Sequence, residues 1–145
     1  ILFQLDEADL RRALVHPHVM VGSDGSSLAA EGSLAVGKPH PRSYGTFPRV
    51  LGRYAREERV LSLETAVWKM TGLPAKRLGV SDRGTVAIGA KADVVVFDPA
   101  TVADRATYED PHQYAAGVGD VVVNGRVVIA GGQHTGALPG RVLRP

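Results

Sequence analysis

Cysteine is absent from this chain of 145 residues. Disulfides and thiolate metal sites are therefore excluded from it, and a reducing, cytoplasmic setting is the natural expectation. Aromatic residues make up only 6%, too few for a base-stacking platform. No block of like charges occurs and the formal net charge is only +2, so nucleic acid is not an expected partner. No apolar run reaches the length of a membrane span, no signal peptide opens the chain, and no membrane partner is expected. A glycine-rich phosphate loop followed by Lys-Ser/Thr is also missing. The chain opens on Ile1 rather than Met, which suits a fragment or a processed piece.

Apolar residues at 44% and charged residues at 22% lie near the averages of globular proteins, so a packed core is expected. Asp6 can cap a helix over "DEADLRRALVH", which Pro17 stops. Val19-Met20-Val21 reads as a short strand covered on both faces, as in a parallel sheet. Residues 22–48 shift to Gly, Ser, Pro, Lys and His, the composition of a long loop. Loops of that length are uncommon unless they serve a site.

"FPRVLGRYAREERV" predicts a helix with Val50, Leu51, Tyr54 and Ala55 on one side. "SLETAVWKMTGLPAKRLGV" predicts two more, the first capped by Ser62 and striped by Ala66, Val67 and Met70. Pro74 suits the first turn of the second. Beyond Val80 the period becomes two, with strands expected at Thr85 to Ile88 and Asp93 to Phe97. Residues 99–116 read as loop. Asn124-Gly125 between two Val/Ile runs is a strong hairpin signal, because both turn positions need positive φ. The fold class that follows is α/β, with the end of an α/β unit over residues 1–80 and a small all-β unit over 81–145. Neither half looks whole, since a (β/α)8 barrel needs about 250 residues.

Asp24 stands between Gly22 and Gly25, directly after the expected strand. Carboxylates at that place serve catalysis in α/β barrels, but Asp-Gly is also a common turn in which Asp bonds its own backbone. Both readings stay open on spacing alone. His16-Pro17-His18 precedes the strand, at the wrong end for a barrel metal site, and reads as a helix end. Arg42, in His40-Pro41-Arg42, carries a planar fork suited to a carboxylate, or is a solvated loop arginine. His112 and His134 have no partner pattern, Trp68 reads as packing, and "GSDGSS" lacks the spacing of a nucleophile elbow.

Three stretches taken together resemble a known family: "VMVGSDG", "KPHPRSYGTFPRVLGRYAREERVLSLETAVWKMTGLPAKRLGVSDRGTVAIGAKADVVVFDP" and "VVVNGRVVIAGGQHTGALPGRVLR". They are similar to the C-terminal portion of D-aminoacylases, the N-acyl-D-amino-acid deacylases of the amidohydrolase superfamily. "HPRSYGTFPRVLGRY" is the most specific part. The resemblance implies the last part of a metal-dependent (β/α)8 barrel over 1–80, with residues 22–48 as an active-site loop. It implies a C-terminal share of a β-sandwich over 81–145.

It also implies a zinc ion whose main ligands lie upstream of this chain, so that the rest of the barrel is a necessary partner and the chain alone is inactive. Asp24 would then be the catalytic base and a weak metal ligand. Arg42 would bind the α-carboxylate of an N-acyl-D-amino acid, with His40 and Tyr44 lining the same loop. The loop "GSSLAAEGSLAVGKP" lacks the extra histidines of some relatives, which leaves side-chain preference and a second metal open. Two other readings remain: a non-catalytic amidohydrolase module acting as an accessory subunit, and an amidohydrolase for D-residue dipeptides or cyclic amides.

Overall fold

In the computed structural model, residues 6–143 are described; the outermost parts of the two expected units, 1–5 and 144–145, lie outside them. Four α-helices come first: α1 (Glu7–Val15), α2 (Arg42–Arg49), α3 (Leu63–Met70) and α4 (Gly72–Leu78). A 3₁₀ turn (Gly32–Leu34) interrupts the long loop, and α2 continues as a π-helix (Val50–Glu57). Four strands follow: β1 (Val94–Phe97), β2 (Val118–Val123), β3 (Arg126–Ala130) and β4 (Gln133–His134). They form one antiparallel sheet in the order β1-β2-β3-β4.

The local signals act where the sequence places them. Asp6 accepts from the amides of Ala8 and Asp9, which would otherwise lack partners in the first turn. Ser62 does the same for Thr65 at α3. Asn124 (φ 48°) and Gly125 (φ 77°) both sit in the left-handed region, so the β2–β3 turn matches the twist of its strands. Val94 pairs with Val122 and Val95 with Val121, while the register slips between Val96 and Phe97.

Leu14, Val50, Tyr54, Ala55, Leu61 and Ala66 make the helical core, which brings α1, the π-helix and α3 together. Lys69 is buried in the same region at 2% exposure. Its ammonium donates to the carbonyls of His16 and Val19, so a charge occupies what the α3 stripe would assign to packing. Burial lowers its pKa, because desolvation disfavours the charged form.

Residues 98–117 cross from β1 to β2 against the helical unit. Val102 is buried there at 1% exposure, and its carbonyl accepts from Arg56 Nη1 at 2.6 Å. Gly52 makes the close approach possible, since a Cβ at that position would stand 2.5 Å from the Val102 carbonyl oxygen. Ala103 and Ala116 close the excursion with an antiparallel bridge.

Three expectations are corrected. Val19–Val21 is in no ladder: Val19 N–H returns to His16 O, and Val21 N–H donates to Lys69 O on α3. Thr85–Ile88 is no strand either, with Val86 93% exposed. Both segments carry strand-like side chains, but a strand is defined by its neighbour, and no described residue pairs with them. The loop expected over 22–48 ends earlier, because Arg42 already opens α2. Pro48 is tolerated inside that helix, where it costs one backbone donor.

Glu58 holds α1 to the π-helix. Its two carboxylate oxygens take Arg53 Nε at 2.6 Å and Arg11 Nη2 at 2.8 Å. These hydrogen bonds, Arg53 first, hold the carboxyl below its ordinary pKa. A depressed carboxylate stabilises the fold above its unfolded pKa, and that contribution is lost as pH falls through the folded value. Glu58→Gln is therefore expected to lower the thermal midpoint at neutral pH and to match the parent in acid well below the ordinary carboxylate range. Thermal unfolding of the full-length gene product at both pH values and at two salt concentrations checks this. A difference that persists in acid would mean that packing, not charge, carries the effect.

Candidate functional site

The Val19–Val21 segment leads into the turn that displays Asp24. Asp24 has φ 49°, the left-handed region that Asp tolerates better than most side chains, and its side chain is 85% exposed. Gly25 lets the turn lie against α2, since a Cβ there would stand 2.9 Å from the Ser43 Cα. Gly22 has open space around it, so it is not required for close approach.

Asp24 does not bond its own backbone in the manner of a simple Asx turn; its partner is Arg42. The guanidinium takes the Asp24 main-chain oxygen with Nε at 2.9 Å and the carboxylate Oδ2 with Nη2, also at 2.9 Å. The two residues singled out from the sequence are thus brought together across 18 positions of chain. One arm of the Arg42 fork already meets a carboxylate oxygen at the start of α2, and the other holds a main-chain carbonyl. An incoming anion of similar shape could take that place, leaving Asp24 free to act as a base.

His40 is fixed at both ring nitrogens. Nδ1 accepts from the Arg42 amide at 3.0 Å, and Nε2 meets the Tyr108 hydroxyl at 2.9 Å. With Nδ1 an acceptor, Nε2 carries the proton of the neutral ring. His40, Arg42, Arg49, Asp104 and Tyr108 line a cavity of about 420 Å³. A larger apolar cleft of about 630 Å³, between Phe47, Leu51, Met70, Val94 and Phe97, touches none of the candidate residues.

Tyr44 and His112 complete the surroundings. The Tyr44 hydroxyl donates to Ala29 O at 2.8 Å and meets His112 Nδ1 at 2.9 Å, while Tyr114 accepts from the Ala30 amide. Burial, then the neighbouring Tyr114, raises the Tyr44 pKa. His112, Tyr108 and Tyr114 carried no signal in the sequence, since they lie about 70 to 85 positions from the atoms they touch. His16 and His18 end α1 as expected, with His16 Nδ1 accepting from the His18 amide. His134 lies in β4, and its Nδ1 accepts from the Gly136 amide. Trp68 stays 43% exposed and lies over Gly72.

Among the described residues no group of three or more His, Cys, Asp or Glu is placed to hold a metal. The exposed carboxylate of Asp24 has the hard oxygen donors of a zinc ligand and fits one ligand position only. No helix among the described residues is long and apolar enough to cross a membrane.

The pattern of the Amidohydrolase family matches residues 9–129. The chain is 52% identical over 143 residues to a D-aminoacylase from Alcaligenes xylosoxydans xylosoxydans, covering 99% of this chain and 28% of that protein. It superposes on a crystal structure of D-aminoacylase with a TM-score of 0.83 and 50% identity, over 92% of this chain and 27% of that one. It also matches N-acyl-D-glutamate deacylase from Bordetella bronchiseptica, solved with zinc and a phosphonate mimic of the tetrahedral intermediate. That match has a TM-score of 0.77 and 50% identity, over 86% of this chain and 25% of that one. The chain thus spans a little over a quarter of the length of the relatives it matches.

Proposed function

Because this chain belongs to the amidohydrolase family, we propose that it works as part of an N-acyl-D-amino-acid deacylase, a hydrolase of the linear amide bond. The products are a carboxylate and a free D-amino acid. The observation that carries the reading is the Asp24–Arg42 pair, a general base and a carboxylate anchor held 2.9 Å apart at one loop mouth. Similarity to D-aminoacylase over nearly the whole chain supports the substrate class. In this reading residues 1–80 serve the barrel with its long active-site loop, and residues 81–145 serve the β-sandwich. The enzyme is cytoplasmic, in keeping with a chain free of cysteine.

Zinc, when bound, would polarise the amide carbonyl and acidify a water. Its principal ligands belong to the rest of the protein, with Asp24 as the single contribution of this chain. Arg42 receives the substrate's α-carboxylate with its planar fork, giving up the Asp24 carboxylate oxygen that Nη2 meets now. Asp24, released from that pairing, takes the proton of the attacking water and delivers it to the leaving nitrogen. An anchored carboxylate and a fixed base leave one enantiomer able to aim its side chain into open space, which is the source of D-selectivity.

The test is turnover of both enantiomers of an N-acyl amino acid by the full-length gene product and by its Arg42 variants. Arg42→Ala is expected to raise KM by about 10²-fold with a smaller change in kcat, as for loss of a charge-assisted bidentate contact. Arg42→Lys recovers part of it, because an ammonium keeps the charge but not the fork. Equal turnover of the two enantiomers, or an unchanged KM in Arg42→Ala, would sink the reading.

A further inference from the structure

We propose that His112 is a positioning residue for the Asp24–Arg42 pair, clamping the loop between them through both ring nitrogens while both carry protons. The role in catalysis rests on the deacylase reading; the clamp itself rests on the number of protons its hydrogen bonds require.

Three contacts meet at two side chains. Tyr44 Oη lies 2.8 Å from Ala29 O, His112 Nδ1 lies 2.9 Å from Tyr44 Oη, and His112 Nε2 lies 2.8 Å from Gly37 O. Both carbonyl oxygens can only accept. The single hydroxyl proton of Tyr44 goes to Ala29 O, so Nδ1–H must donate to Tyr44 Oη. Nε2–H must at the same time donate to Gly37 O. Three hydrogen bonds thus require three protons, of which the imidazole supplies two. A neutral ring leaves one of these short contacts between facing lone pairs, and that contact opens.

His40 sits in the opposite case. Its Nδ1 accepts from the Arg42 amide, so that nitrogen carries no proton while the bond stands.

The clamp bears on the site through connectivity. Ala29 and Gly37 lie on the two limbs of the loop that starts at Asp24 and ends at Arg42, and Tyr44 is in the first turn of α2 beside Arg42. Tyr114 adds a third tie through the Ala30 amide at 3.0 Å. Of the titratable groups around the ring, Tyr44 touches it and Tyr114 packs edge-on against Tyr44. Asp110, on the same segment as His112, is taken by Gln113 Nε2, and Lys38 follows Gly37 on the loop. Among the described residues no carboxylate bonds either ring nitrogen of His112.

Hydrogen exchange of residues 26–39 in the full-length gene product, read by mass spectrometry, tests this. The readout is the exchange ratio of His112→Gln to parent, in which intrinsic pH effects cancel. The expected ratio is about tenfold at about pH 6, the scale of one charge-assisted hydrogen bond, and clearly smaller at about pH 9, where a neutral ring keeps one of its two bonds. Tyr44→Phe removes the hydroxyl that demands the second proton, so the ratio of His112→Gln to parent measured in that background is expected not to change between the two pH values. A ratio near one at pH 6, or the same excess at both pH values, overturns the clamp. In turnover, His112→Gln raises KM about tenfold at pH 6 with kcat nearly kept. A fall in kcat with KM unchanged refutes the positioning role. Absence of deacylase turnover in the parent would instead remove the functional reading, while the exchange ratio still decides the clamp.

Discussion

Asp24→Asn in the full-length gene product is expected to lower kcat for an N-acyl-D-amino acid by about 10²–10⁴-fold, the range that general-base catalysis supplies. Asn is the informative replacement. It tolerates the left-handed backbone that Asp24 adopts at φ 49°, so the turn need not refold. Its amide oxygen can still accept from Arg42 Nη2, which now reaches the carboxylate at 2.9 Å. What it lacks is basicity and charge. KM should stay level or fall, because an arginine no longer neutralised by Asp24 is freer for the substrate carboxylate. Arg42→Ala should do the reverse, with KM bearing most of the loss. This opposite split separates base from anchor, and steady-state kinetics on the two variants reads it directly. A kcat within about threefold of the parent, far short of the general-base range, would leave Asp24 as a turn residue that holds Arg42 and nothing more.

The largest stability effect is expected at Gly117. Its φ is +73°, and a Cβ there would stand 2.5 Å from Val102 N and 2.6 Å from Val102 Cα. Those atoms are backbone and cannot swing aside. Val102 is itself pinned, its carbonyl by Arg56 Nη1 and its amide by the Asp98 carbonyl. The Gly117 carbonyl in turn accepts from the Asp98 amide at 2.8 Å. Gly117→Ala therefore combines left-handed strain with overpacking against a fixed chain, about 3–5 kcal/mol together. In thermal unfolding that is a fall in Tm of about 10 °C.

Gly131→Ala provides the control, because Gly131 has φ +55° and a Cβ added there would meet nothing within 4 Å. It carries the strain without the clash and should cost about 1 kcal/mol. If Gly117→Ala were no worse than Gly131→Ala, the close packing of Gly117 against Thr101 and Val102 would be wrong. The excursion also carries Asp104 to α2 and Tyr108 and His112 to the loop, so the same variant is expected to loosen the site.

Elements governed by neighbours in sequence are legible without the fold. Asp6 and Ser62 cap helices because an oxygen one residue ahead of the first turn is always near free amides. Asn124-Gly125 turns β2 into β3 because those two residues accept positive φ. Val50, Tyr54 and Ala55 face the core because helical spacing puts them on one side. Asp24 and Arg42 are visible as residue types in a suggestive loop, with the family resemblance supplying their roles.

What only the tertiary structure decided lies in contacts between distant positions. Val19–Val21 and Thr85–Ile88 have the side chains of strands, yet whether they become strands depends on partners that no local pattern contains. Lys69 falls on the apolar side of α3, but two carbonyls near the end of α1 receive its ammonium, so burial is tolerated. Arg42 turns onto Asp24, and Tyr108, His112 and Tyr114 return from beyond β1 to fasten the loop. Turns and caps are settled by torsions and hydrogen bonds within a few residues, and sequence determines those. A site assembled by chain closure depends on where the backbone brings distant side chains, and that is a property of the folded whole.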